Sequence, residues 1–214
     1  MDQDIEIINT NTRNEKIKIF FIKNKNKLIS VLVVIIITLF AYFFYEDYKL
    51  DKKENLANKY NVAVTKYNSN QKDNVETILK EIIQVKDKTY SPLAFYFLMD
   101  NGLIQKRDEI NNYFDIIIEE INLDKEIKNL TIYKKGLFNS DFIKENELLN
   151  ILNPIIKSDS MWKPQALYLM AEFYLSKNQK QKSKEFFNQI MDMENISPKI
   201  KLEVQRRLRS EFGE

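Results

Sequence analysis

From Leu28 to Tyr45 the chain reads LISVLVVIIITLFAYFFY, uncharged and interrupted only by the weakly polar Ser30 and Thr38. As a helix this run covers roughly 27 Å, close to the hydrocarbon thickness of a bilayer, and it satisfies its backbone groups internally. A buried core helix is the competing reading, but such helices rarely run this long without a polar face. The run leads into Ala41-Tyr42-Phe43-Phe44-Tyr45 and then Glu46-Asp47-Tyr48, with no small-residue site for cleavage, so an uncleaved anchor is expected. Arg13, Lys16, Lys18, Lys23, Lys25 and Lys27 precede it, whereas Lys49, Lys52, Lys53 and Lys59 beyond it are diluted by acids. That bias places the N-terminus in the cytoplasm and the rest of the chain outside, with Tyr42, Tyr45 and Tyr48 at the far interface. The N-side lysines could also touch anionic lipid, although fixing topology is explanation enough for them.

Beyond the anchor, apolar residues recur at three and four rather than two, and no strand-like alternation is present. Glu46 to about Asn68 continues the anchor with Tyr48, Leu56, Tyr60, Val64 and Tyr67 on one stripe, and Asn68-Ser69-Asn70 breaks it. Asp73 with Glu76 has the pattern of a capping box opening a helix that buries Val75, Ile78, Leu79, Ile82 and Ile83. Further helices are predicted over Leu93–Asp100 (stopped by Asn101-Gly102), Leu103–Glu120, Asp124–Phe138 and Phe142–Leu152, the last opened by Ser140 or Asp141. Pro154 and Ser158-Asp159-Ser160 separate these from the final block. Ser197 as cap and Pro198 at the first helical position open a last helix, with Ile200, Val204, Leu208 and Phe212 as its buried stripe. The fold class is all-α. The predicted division is a partly disordered basic tail (1–27), an anchor (28–45), its helical extension (46–70) and a helical domain (71–214) closed by a capping helix (198–212).

Composition narrows the chemistry. There is no Cys and no His, which removes disulfides, thiolate nucleophiles, the usual general base and the commonest transition-metal ligand. Three glycines form no phosphate-binding loop, and a net charge of +2 without a basic aromatic stripe gives no sign of nucleic-acid binding. No catalytic residue, cofactor site or metal site is predicted, and the chain is read as a non-enzyme. Asp115 and Glu119 share a helical face but lack further convergent oxygens, so a solvated face is expected there. Asn129-Leu130-Thr131 fits a glycosylation sequon that has meaning only in a eukaryotic secretory route.

The segment from Pro164, PQALYLMAEFYLSKNQKQKSKEFFNQIMDMENISP, fits the 34-residue helix–turn–helix of a tetratricopeptide repeat. Leu167 stands where Trp is usual, Ala171 and Ser183 at the small crossing positions, and Tyr174 and Phe187 at the aromatic ones. Asn178 marks the turn, Ile190 a position usually Ala, and Pro198 lies a little beyond the usual terminal proline. A weaker copy places Ala94, Phe97 and Asn101-Gly102 at equivalent points, with extra residues before Phe114. A generic helical hairpin is the competing reading, and recurrence favours the repeat.

Basic tail, anchor, long helix and degenerate repeats together resemble the YfgM-like ancillary subunits of the SecYEG translocon. The resemblance is strongest in the layout of the first sixty residues and in Met161–Arg209, which is similar to the C-terminal repeat of the alphaproteobacterial members. Leu for Trp, Asn for the turn Gly and Ser for Ala depart from the repeat pattern. The resemblance implies a TPR-like solenoid tethered to the inner membrane, with its domain in the periplasm. The implied partners are translocon subunits, a periplasmic chaperone, exported chains and membrane lipid, with no cofactor and no nucleic acid. It also places Gln165, Tyr168, Glu172, Leu175 and Ser176 on a partner-binding groove, with Tyr168 as the anchoring side chain. Trp162 is expected to pack, and Arg206, Arg207 and Arg209 to form a solvated end that favours the helix dipole. The same architecture would suit an adaptor organising envelope or cell-division proteins, and self-association through the long first helix stays open.

Overall fold

The computed structural model describes residues 2–194 and 196–213, with side chains from Glu15 onward, and where the sequence led to a partly disordered tail over residues 1–27 the backbone from Asp2 is helical. Among the described residues all regular structure is helical. The chain divides into two compact units, residues 1–58 and 59–214.

The first unit is built from helix α1 (Asp2–Asn68), which continues into the second. Its stretch from Glu15 is long and apolar enough to cross a membrane, and the apolar window is wholly exposed, with Phe44 72% and Phe43 62% accessible.

In the second unit the end of α1 lays Tyr60 and Tyr67 against Phe97, with ring centroids 6.4 and 5.2 Å apart. Asn70 and Asn74 take positive φ in the turn to α2 (Val75–Gln84), a conformation Asn tolerates better than most residues. The expected capping box is not formed: Asn74 is the cap residue and no side chain caps the helix. The left-handed Asn74 moves the first helical residue to Val75, so Asp73 stands one place too early. α3 (Tyr90–Asp100) begins three residues before the expected Leu93, because Asp87 Oδ1 accepts from the Thr89 and Tyr90 amides at 2.8 Å and caps the turn. Gly102 at φ 64 ends it.

The helix expected over Leu103–Glu120 is shorter and interrupted. Leu103–Lys106 is not helical, α4 covers Arg107–Asp115, and Ile116–Glu120 forms one π turn. Ile116, Ile117 and Ile121 are all buried. The wider π turn carries Ile116 and Ile117 into the core at the end of α4.

α5 (Lys125–Asn139) and α6 (Glu145–Ile156) follow. α6 opens at Lys144, whose amide donates to Glu147 Oε2 at 2.9 Å, rather than at Ser140 or Asp141, and it runs through Pro154. Pro154 sits in the last turn, where its missing N–H removes a single terminal hydrogen bond. α7 (Lys163–Ser176), α8 (Lys180–Met191) and α9 (Pro198–Phe212) complete the chain; the Ile200 amide donates to Ser197 Oγ at 3.4 Å, and Gly213 at φ 74 closes α9.

Neighbouring helices pack together: α2 on α3, α5 on α6, α6 on α7, α7 on α8 and α8 on α9. Phe95 and Phe114 meet edge to face at 4.7 Å and link α3 to α4. One core cluster joins Ile132, Leu148, Leu152, Ile155, Ala166 and Met170, and another joins Leu167, Ala171, Phe187, Ile190, Val204 and Leu208. The positions assigned to the Pro164 repeat, Leu167, Ala171, Tyr174, Ser183, Phe187 and Ile190, are all buried, and Asn178 has φ 60 in the turn between its helices. Ile132, Gly136, Asn139, Leu148, Leu152 and Ile155 lie 35 residues before the same six positions and are buried likewise.

Candidate functional site

α7 is buried on most of its circumference, from Pro164 through Ala166, Leu167, Leu169, Met170, Ala171 and Phe173 to Tyr174. Gln165, Tyr168, Glu172, Leu175 and Ser176 recur at i, i+3, i+7, i+10 and i+11, which puts them on its remaining, partly accessible stripe. α5, α7 and the start of α9 enclose a cleft of about 470 Å³ over the upper half of that stripe, lined by Tyr133, Gln165, Tyr168, Ser197, Lys199, Ile200 and Glu203.

The structure therefore splits the five residues. Gln165 and Tyr168 face the cleft together. Glu172 is instead tied to α9, accepting from Arg207 Nε at 2.8 Å and Nη2 at 2.5 Å in a two-pronged ion pair. Leu175 lies half-buried farther down, and the Ser176 hydroxyl donates back to the Phe173 carbonyl at 2.7 Å, a helix-end contact.

Tyr168 has two roles at once. Its ring meets Phe187 at 5.5 Å in the core, while burial raises its hydroxyl above the ordinary phenol range and Arg207 acts in the opposite direction. Arg207 is itself held more firmly protonated, chiefly by Tyr168 and then by Glu172. Trp162 stacks on Tyr133 at 6.0 Å and 19°, which supports one cleft wall. Gln165 Oε1 is buried and accepts no hydrogen bond among the described residues. A buried acceptor without a donor costs free energy. The rim bears one cation and one anion, Lys199 and Glu203, both exposed. The cleft offers stacking surface and mixed charge, which suit recognition of a polar chain segment.

A separate polar cluster fastens α6 to the α7–α8 pair. The Tyr174 hydroxyl donates to Glu145 Oε1 at 2.9 Å, and Lys182 Nζ donates to the two oxygens of that carboxylate at 2.8 and 3.1 Å. Lys182, then Tyr174, holds the Glu145 carboxyl below its ordinary value of 4.5, and burial followed by Glu145 pushes the Tyr174 hydroxyl up to about 12. Glu109 is lowered similarly by Lys80, 2.5 Å away. Such carboxylates bind protons less readily folded than unfolded. Their stabilisation is complete above the ordinary carboxylate value and is lost as pH falls below it, through the depressed folded value. Thermal melts followed from neutral to acid pH are expected to show Tm falling below about pH 4.5, with E145Q flattening that limb and leaving the neutral side level. An unchanged acid limb in E145Q would exclude this cluster as its source.

The remaining sequence features take structural places. Asp115 pairs with Lys135, and no group of metal-ligating side chains occurs among the described residues. Asn129 and Thr131 are buried in α5, where the Thr131 hydroxyl accepts from Tyr96 and donates to the Ile127 carbonyl, so the sequon is not presented at the surface. Tyr133, Lys199 and Glu203 were not legible as cleft residues, since they stand some thirty residues away from Gln165 in the sequence and carry no local pattern. The one signal was the 35-residue spacing, which aligns α5 with α7 and makes their neighbouring faces a common wall.

No curated protein and no solved structure matches the chain. The cleft and its lining residues lie outside the stretch that does find a family. Residues 18–102, comprising the apolar span, the remainder of α1, α2 and α3, match the family model of the tetratricopeptide repeat-like domain.

Proposed function

We propose that this protein is a membrane-tethered docking scaffold without catalytic activity, whose helix pairs form a TPR-like solenoid that binds protein partners. The observation that carries the proposal is the match over residues 18–102, which joins an exposed apolar helix to helices of the tetratricopeptide repeat-like type, a module built for protein–protein contact. The lysines before Leu28 set the orientation, with the anchor in the inner membrane and residues 59–214 in the periplasm. In this reading Gln165 and Tyr168 receive a segment of the partner in the cleft, and Glu172, Leu175 and Ser176 continue the contact surface along α7. The layout is that of an ancillary subunit at the SecYEG translocon, working with a periplasmic chaperone on emerging chains.

Photo-crosslinking from Tyr168 in intact cells, with captured proteins identified by mass spectrometry, tests each part. Translocon subunits, a periplasmic chaperone or unfolded exported proteins are the expected partners. Cell-division or cell-wall proteins would replace the secretion role by an envelope-organising one. Exclusively cytoplasmic partners would reverse the topology.

A further inference from the structure

The stretch of α1 just before the apolar run is neither a plain polar tail nor a continuation of the span. Residues 15–27 read EKIKIFFIKNKNK, with Lys16, Lys18, Lys23, Lys25 and Lys27 opposed by Glu15 alone. All five lysines are exposed, and none forms an ion pair among the described residues. Between them Ile17, Phe20, Phe21 and Ile22 stand 47, 57, 57 and 68% accessible. At 3.6 residues per turn, Lys16, Lys23 and Lys27 fall within about 20° of one line along the helix, and Lys18 and Lys25 within about 20° of the opposite line. Ile17, Phe20, Phe21 and Asn24 lie in the arc on one side of these lines, and Ile19, Ile22 and Asn26 in the arc on the other, so the lysine lines run between apolar side chains on both sides of the helix. Lysine stems set among apolar side chains can run along apolar surface while their ammonium groups reach phosphate.

Depth agrees with this. Lys23, Lys25 and Lys27 precede Leu28 by no more than about 8 Å of helix, comparable to the headgroup layer of roughly 5–8 Å on each side of the hydrocarbon. Lys16 and Lys18 lie farther out but still near enough to the surface for incomplete screening. We infer that residues 16–27 form a recognition segment for anionic phospholipid, in which the five lysines gather phosphate-bearing headgroups around the helix. This inference rests on the membrane anchor of the proposed function and adds a choice of lipid to it.

The test uses the full chain carrying Leu32→Trp with Trp162→Phe, reconstituted in phosphatidylcholine vesicles with a minority of phosphatidylglycerol. Fluorescence quenching is compared when one lipid or the other has brominated acyl chains. Phosphatidylglycerol is expected to be enriched around the helix about fivefold or more, since each lysine held at an anionic surface contributes about that factor. The variant with all five lysines replaced by Gln is expected to show a ratio near one, while replacement of all five by Arg keeps the preference. Equal quenching by both lipids in the parent chain, or a preference unchanged in the Gln variant, overturns the inference and leaves the anchor standing. Loss of preference with a change of oligomeric state would assign the segment to a second copy of the chain instead. Quenching by neither lipid would mean that Leu32 is outside the bilayer, which removes the anchor itself.

Discussion

Replacing Phe187 by Ala is expected to lower the stability of the unit spanning residues 59–214 by about 3–5 kcal/mol, the cost of deleting a large aromatic from a core that cannot collapse around it. Phe187 is completely buried, and its ring lies 5.5 Å from Tyr168 on α7 and 6.5 Å from Phe212 on α9. It shares a cluster with Leu167, Ala171, Ile190, Val204 and Leu208, so three helices lose a common neighbour when it is truncated. A domain of this size is commonly held by only ~5–15 kcal/mol, which makes the loss a large fraction of the whole. Urea denaturation is the measurement, read as a fall in midpoint at constant slope. F187L, which keeps most of the volume, should cost less than about 1.5 kcal/mol. The cleft is coupled to this residue because Phe187 supports Tyr168 from beneath and α9 from the side. A cost below ~1 kcal/mol would mean that α9 does not share the packed core of α7 and α8.

Gly136→Val is the second large effect. In an ordinary exposed helix interior, replacing Gly by Ala gains up to ~1 kcal/mol. Here a Cβ on Gly136 would stand 2.6 Å from Leu152 Cδ2, 3.2 Å from Leu152 Cγ and 3.6 Å from Leu148 Cδ1. Leu148 and Leu152 are both fully buried, so neither has solvent to move into. The added methyls of Val must displace α6 from α5, an overpacking cost toward the upper end of ~1–3 kcal/mol. A double-mutant cycle isolates the cause. G136A should destabilise the parent and become neutral or stabilising in an L152A background, a coupling of at least ~1 kcal/mol. Stabilisation by G136A in the parent would show that Leu152 can turn aside.

Gly136 also shows where reading the sequence stopped. It occupies, 35 residues upstream, the position that Ala171 holds in the Pro164 repeat, and it meets α6 where Ala171 meets α8. The correspondence was hidden there because Asn139 stands in for Tyr174 and Leu148 for Ser183. Asn139 is nonetheless buried, exchanging amide hydrogen bonds of 2.7 and 3.1 Å with Asn111 of α4. A polar residue at an aromatic position carries no hydrophobic signal, although a reciprocal amide pair fills the place. Helix ends misread in the sequence share one cause as well. Asp73, Ser140 and Asp141 have good capping chemistry, but left-handed Asn74 and the Lys144–Glu147 pairing decide where the helices begin. Capping propensity is worth about 1 kcal/mol and yields when packing of the apolar face prefers a different start.

Local patterning by itself determined the exposed apolar helix, the all-helical character, the last helix with its Ser197 cap and Val204–Leu208 stripe, and the burial of Leu167, Ala171, Tyr174 and Phe187. Each of these follows from periodicity or composition within a few turns of chain, which neighbouring residues are sufficient to express. The π turn at Ile116–Glu120, the close α5–α6 approach at Gly136 and the cleft between α5, α7 and α9 were decided only by the tertiary structure. So was the fate of the α7 stripe. Gln165 and Tyr168 stay open to the cleft while Arg207, thirty-five residues on, takes Glu172, because an ion pair forms wherever packing brings opposite charges within reach.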